Sequence, residues 1–283
     1  MNFDERKSLD PLRQSREREE KTCVNSRIKE PPLPEAMEKR LPLQMLPQPD
    51  ETTCGPSCLH AIYRYYGEDI PLEKVISEVP SLKEGGTLEV FLGCHALRRG
   101  YSALIYTYNL KIFDPTWFVP GGPDIGRRLR AQMTAKDIPK LHTASKAYLE
   151  FLELGGEIRF EDLTAALIRK HLNKSVPVLA GLSATYLYRS PREFGRDGNW
   201  DDVRGESAGH FVVLSGYHRE NRTVLVADPL IPNPVSRTHN YSVTIDRVLC
   251  AVLLGVLTYD ASLLIIRPAK RHCMHANTYP HSR

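Results

Sequence analysis

Between residues 54 and 66, Cys58, Leu59, Ile62, Tyr63 and Tyr66 recur at three- and four-residue steps and Gly67 follows as a stop. That spacing predicts one buried face of an α-helix. Thr52 or Thr53 is placed to cap its start, and Pro56 falls in the first turn, where a missing N–H breaks no hydrogen bond. A second helix is predicted over 88–99 after the Gly85-Gly86 turn, followed by a strand over 101–108. Residues 123–154 read as helices and 160–172 as another, before the β-rich run 176–182. Residues 185–208 are polar without periodicity and predict a long loop. Two apolar runs, 210–217 and 223–228, are joined by the polar segment 218–222 as a hairpin. A short helix near 246–256 and a last strand over 262–267 complete the pattern. Helices come first and an antiparallel sheet second, an α+β layout.

Composition narrows the classes. With 283 residues, 41% hydrophobic and 25% charged, the chain is long enough for a large globular domain. A net charge of +4 is too small an excess to predict a nucleic-acid surface. Six cysteines are too sparse for a disulfide scaffold, so reduced thiols and a cytoplasmic setting are expected. No signal-peptide core is present, and the longest apolar run, 248–259, is too short for a bilayer span. Residues 1–40 mix charges and end in Pro31, Pro32 and Pro34, which predicts a disordered or extended tail. Residues 268–283 read as a second tail, in which His272, Cys273 and His275 are spaced too tightly to close a tetrahedral metal site. One domain over 41–267 remains, with insertions near 108–160 and 185–208.

The chemistry centres on Cys54. It opens the first helix, where unpaired backbone N–H groups and aligned peptide dipoles favour a thiolate. His210 begins an apolar strand, an odd place for a polar ring unless it faces a site; it is the candidate proton carrier. If the hairpin turns tightly at 218–220, Tyr217 pairs with Asn221, and His210 falls opposite Asp228 on one face. Asp228 would then fix the imidazole tautomer. Oxyanion donors are available from the Cys54 N–H and from a side-chain amide upstream, Gln48 or Gln44. Cys58, one turn on, reads as core, as does the aromatic segment 113–118. His60, His95, His171 and His239 read as surface or core-edge groups. The loop bearing Tyr186, Tyr188 and Trp200 directly precedes His210 and either overhangs the cleft or is a solvated insertion. No phosphate loop, dinucleotide turn or metal cluster is evident, so no cofactor is expected.

The block QPDETTCGPSCLHAIYRYYG (48–67) resembles the N-terminal block of the bacteriocin-processing, double-glycine leader peptidases, a family of papain-like cysteine peptidases. GHFVVLSGY (209–217) and VADP (226–229) resemble its His and Asp motifs, in the same order. The resemblance implies a papain-like fold with Cys54 as nucleophile, His210 as general base and acid, Asp228 as its orienter and Gln48 as oxyanion donor. It implies a peptide or protein substrate cut after small residues. Exporter-linked members carry membrane spans and an ATPase, which this sequence lacks, so a free-standing relative is expected. The same triad would also serve an amidase, deamidase or acyltransferase, and an idle peptide-binding module is the alternative outside catalysis.

Overall fold

A computed structural model describes residues 39–269, except 84, 196 and 197. Most of the predicted N-terminal tail, and His272, Cys273 and His275, lie outside the described residues. An eight-stranded sheet forms the centre, in the order β3 (Glu157–Arg159), β2 (Tyr101–Thr107), β10 (Ser262–Pro268), β4 (Val178–Ser183), β7 (Gly209–His218), β8 (Thr223–Ala227), β9 (Asn240–Thr244), with β1 (Lys39–Arg40) pairing β7 off this path. Only the β2–β3 pairing is parallel; the other pairings are antiparallel. The α+β architecture with a mostly antiparallel sheet is therefore as expected from the sequence.

Alternation along the strands feeds two separate cores. Phe211, Val213, Ala227, Leu264 and Ile266 pack with α1 (Cys54–Tyr65), α3 (Glu89–Arg98) and α5 (Pro139–Glu153). Val212, Leu214, Val226 and Leu263 pack with α6 (Ala165–Leu172) and α8 (Ile245–Leu254). The sheet is thus covered on both faces, which is why strands such as Val178–Ser183 are buried at every position. Helices α2 (Leu72–Glu78) and α4 (Ile125–Ala135) complete the α1/α3 side.

Several sequence expectations need correction. Helix α6 starts at Ala165 rather than Phe160, because the Thr164 side chain caps it by accepting from the Leu167 N–H at 3.1 Å. Residues 185–208 are not only loop: α7 (Ala184–Tyr188) begins there, and β5 (Glu193–Phe194) pairs with β6 (Asn199–Trp200) as a small hairpin. The β7–β8 turn is wider than expected, with Arg222 at φ 51°, and Tyr217 pairs with Val224 instead of Asn221. Of the histidines read as surface or core-edge groups, His60, His95 and His171 are buried. His60 Nε2 meets the Ile70 carbonyl, while His95 is held by Tyr63 and Glu78 and His171 by Tyr106 and Arg267.

Candidate active site

Cys54 is the first residue of α1. The threonines expected to cap this helix fold the preceding turn instead: Thr52 donates N–H and hydroxyl to Asp50 Oδ1 at 2.8 and 2.7 Å, and the Thr53 hydroxyl donates to the Asp50 carbonyl at 3.1 Å. No side chain therefore caps α1, and the positive end of its dipole is left to act on whatever charge lies at Cys54. Gly55 is required by close packing, since a Cβ there would stand 2.6 Å from Thr87 Cγ2. Cys58, one turn on, is fully buried and donates its thiol to the Phe211 carbonyl at 3.2 Å. Burial, followed by the charges of Cys54 and Asp228, pushes the Cys58 thiol far above its ordinary range, so it is inert core, as expected.

His210 and Asp228 meet, although by a different register from the one anticipated. The wider turn shifts the pairing by three residues, Tyr217 meeting Val224 in place of Asn221, and a bulge between Leu214 and Gly216 takes one of them back, leaving a shift of two. Beyond it Leu214 pairs with Val226 and Val213 with Ala227; alternation then returns His210 and Asp228 to a common face. His210 Nε2 lies 2.9 Å from Asp228 Oδ1. With Nε2 so engaged, Nδ1 is the nitrogen left for Cys54, which lines the same cavity as the ring. Burial alone would favour neutral imidazole. The charge and hydrogen bond of Asp228, with those of Cys54, outweigh it and raise His210 to about 10.

Asp228 is completely buried and held by four donors. Oδ1 accepts from His210 and from the Leu230 N–H at 2.9 Å, and Oδ2 from Tyr188 at 2.9 Å and Tyr241 at 2.7 Å. Burial would raise this carboxyl, but the His210 charge and the hydrogen bonds from His210, Tyr241 and Leu230 reverse that and hold it below its ordinary value. The two hydroxyl donors were not anticipated. Tyr241 is placed by pairing with Val226 in the sheet, and only a correct β8–β9 register would have found it.

Of the two glutamines, Gln44 is exposed and accepts from Arg64 at 3.3 Å. Gln48 lines the cleft with His210, Glu51, Tyr188 and Trp200, in a cavity of about 240 Å³. Its Nε2 donates to the Asp50 carbonyl at 2.8 Å, while its Oε1 is buried without a partner among the described residues. A second cavity of about 190 Å³ adjoins at His210 and Gly209 and is lined by Cys54, Thr87, Thr258 and Asp260. Trp200 and Glu193, from the β5–β6 hairpin, wall the first cavity, so the segment before His210 overhangs the cleft. In segment 113–118 Phe113 is buried, edge-on to Tyr148 at 4.7 Å, with Trp117 and Phe118 half-buried against the same core, while residues 114–116 are exposed. Among the described residues no three His, Cys, Asp or Glu side chains are grouped to hold a metal ion, and no helix is long and apolar enough to cross a membrane.

Residues 125–247 match the Peptidase_C39 like family, in agreement with the resemblance drawn from the sequence blocks. The matched stretch holds His210 and Asp228 and begins beyond Gln48 and Cys54. No curated protein matches the sequence. Three solved structures are similar. A double glycine motif protease from an AMS/PCAT transporter, in complex with the leader peptide, is 13% identical, with TM-score 0.39, over 82% of this chain and 95% of that one. A C39-like protein of Bacillus anthracis is 14% identical, with TM-score 0.41, over 81% and 98%. The peptidase domain of Streptococcus ComA, a bi-functional ABC transporter of a quorum-sensing pathway, is 14% identical, with TM-score 0.39, over 80% and 98%.

Proposed function

We propose that this protein is a papain-like cysteine peptidase acting through Cys54, His210 and Asp228. The observation that carries the reading is Cys54 facing one cavity with the His210 ring, whose Nε2 is bonded at 2.9 Å to the fully buried Asp228 carboxylate. An imidazole with a strongly raised affinity for its proton, next to a thiol at an uncapped helix start, is the arrangement that keeps a thiolate–imidazolium pair. The Cys54 thiolate adds to the substrate carbonyl carbon, and the carbonyl π pair moves onto oxygen. The Cys54 backbone N–H and the second hydrogen of Gln48 Nε2, which is not spent on Asp50, are the donors for that oxygen. Collapse breaks the C–N bond as His210 delivers its proton to the departing amine. Water, deprotonated by His210, then releases the acyl group and restores the thiol pair. Asp228 holds the imidazole by Nε2 throughout, leaving Nδ1 for the proton transfers.

The test needs no substrate. Iodoacetamide labelling is followed residue by residue against pH for the native protein and for His210→Ala and Cys58→Ala. Cys54 is expected to label rapidly below pH 7 and to slow by about tenfold or more in His210→Ala, with no change in Cys58→Ala. A Cys54 that labels as an ordinary thiol regardless of His210 would end the peptidase reading and favour a peptide-binding module.

A further inference from the structure

Asp260 plays no part in the chemistry just described, yet it occupies the Cys54 cavity together with His210, Thr258 and Lys140. Its residue is only 7% exposed. Three glycines are shaped around it. A Cβ on Gly209 would fall 2.1 Å from Asp260 Oδ2, one on Gly181 would fall 2.3 Å from the Asp260 carbonyl oxygen, and the Gly255 carbonyl accepts the Asp260 N–H at 2.9 Å. Gly181 and Gly209 come from adjacent strands, β4 and β7, so the seat is built by the sheet rather than by a loose loop.

The carboxylate is poorly satisfied for a group so deeply placed. The Thr258 hydroxyl lies near enough to favour the charged form, but it donates to the Gly255 carbonyl at 3.2 Å. Among the described residues no Lys, Arg or His nitrogen forms an ion pair with it within 4.0 Å. Lys140 and the His210 ring both lie near enough to be felt, but Lys140 Nζ is directed to the Thr258 carbonyl at 3.5 Å and over the Tyr259 ring at 4.6 Å, and His210 Nε2 is engaged by Asp228 at 2.9 Å. Glu89, also buried, is driven towards its neutral form by burial, to which the charge of Asp260 adds. A buried carboxylate with no cation in direct contact is costly. One that faces a cavity is relieved by a ligand that brings the positive charge.

Which part of a substrate reaches it follows from the cleft. The acyl portion becomes bonded to Cys54 and must occupy the cavity that Cys54 lines, whereas the leaving amine departs past His210. We propose that Asp260 recognises a primary ammonium group on the acyl portion of the substrate, either the free α-amino end of a short segment or a lysine side chain. This rests on the cysteine-peptidase reading for the direction of the substrate, though not for the existence of the ammonium site.

The experiment separates the two. Full-length Cys54→Ala, which cannot form an acyl-enzyme, is titrated calorimetrically with glycylglycinamide, N-acetylglycylglycinamide and N-acetyl-lysinamide. At least one of the two cationic probes is expected to bind about tenfold or more tightly than the neutral one; which one does so identifies the source of the ammonium. Asp260→Asn in the same background should abolish the preference, and Lys140→Met, which removes a competing cation, should strengthen it. Equal affinity for all three probes, no detectable binding of either cationic probe, or a preference that survives Asp260→Asn would overturn the proposal. Should Asp260→Asn fail to fold by circular dichroism, Lys140→Met decides: no tightening counts against Asp260. Asp260-dependent ammonium binding alongside Cys54 labelling that ignores His210 would sink the peptidase reading and leave the ammonium site standing.

Discussion

Two buried aspartates flank His210, and they are held in opposite ways. Asp228 is 0% exposed and receives four hydrogen bonds, two of them from tyrosine hydroxyls supplied by α7 and β9. Asp260 is 7% exposed, and the neighbouring Thr258 hydroxyl donates to the Gly255 carbonyl. Burial is the leading influence on both. At Asp228 the imidazolium charge and the donors overcome it and hold the carboxyl low; at Asp260 burial prevails, and the group is raised to about 7. Depth therefore does not set the charge state of a buried acid; the number and polarity of its donors do. In the sheet, a strand end next to two further strands recruits donors from each. The turn between Gly255–Leu257 and β10 recruits few, and its carboxylate stays available to the cleft.

The strongest way to break the comparison is to remove each carboxylate. Asp228→Ala leaves His210 and two tyrosine hydroxyls buried without their acceptor, and a loss of about 3–5 kcal/mol in urea denaturation is expected. Asp260→Asn keeps the shape while removing a costly charge, so its change should stay within about 1 kcal/mol or be stabilising. Equal losses in the two variants would show that both acids are structural.

A weaker but more discriminating test is the pH dependence of stability. Asp260 binds its proton more tightly in the folded state, so its contribution falls as pH rises from its ordinary 3.8 to about 7. Asp228 has the opposite sign: its stabilisation is present above 3.8 and is lost as pH falls through its lower folded value. His210, raised from 6.5 to about 10, gives stability that is complete below 6.5 and lost as pH climbs towards 10. The His210 and Asp228 effects describe one ion pair and count once. Asp260→Asn should therefore remove a decline of a few kcal/mol at most between about pH 4 and 7 and leave the alkaline loss intact. A variant profile parallel to that of the native protein would refute the raised proton affinity of Asp260.

The two acids also differ in how far the sequence announces them. Cys54, His210 and Asp228 are legible because helix periodicity, a polar ring in an apolar strand and a hairpin each leave a local signature, and because the three blocks resemble one family in order. The anticipated pairing of Tyr217 with Asn221 is wrong, and the contact survives because the bulge at Ser215 turns the three-residue shift of the wider turn into one of two, which keeps the face. Two departures that keep the face only together cannot be read from local pattern. Asp260 leaves no signature: its neighbours Gly181, Gly209 and Gly255 are distant in sequence and are brought together by strand order. The same holds for Tyr241, whose role depends on the β8–β9 register. The cap of α1 was misread for a local reason, since Asp50 competes for both threonines.

The smallest expected effect bears on how Asp228 divides its load. Tyr188 and Tyr241 donate to the same oxygen, Oδ2, and replacing either by Phe keeps the ring and removes one hydroxyl. Each single change should cost about 1 kcal/mol. With one hydroxyl gone, the other still serves Oδ2; with both gone, that oxygen is buried without a donor. The double variant should then lose more than the sum of the singles, with a coupling of about 0.5 kcal/mol or more in a double-mutant cycle. The loss should be accompanied by slower Cys54 labelling, because a less securely ionised Asp228 holds the imidazolium less well. Additive costs with unchanged labelling would mean that His210 and the Leu230 N–H keep Asp228 charged by themselves, and that the tyrosines serve packing alone.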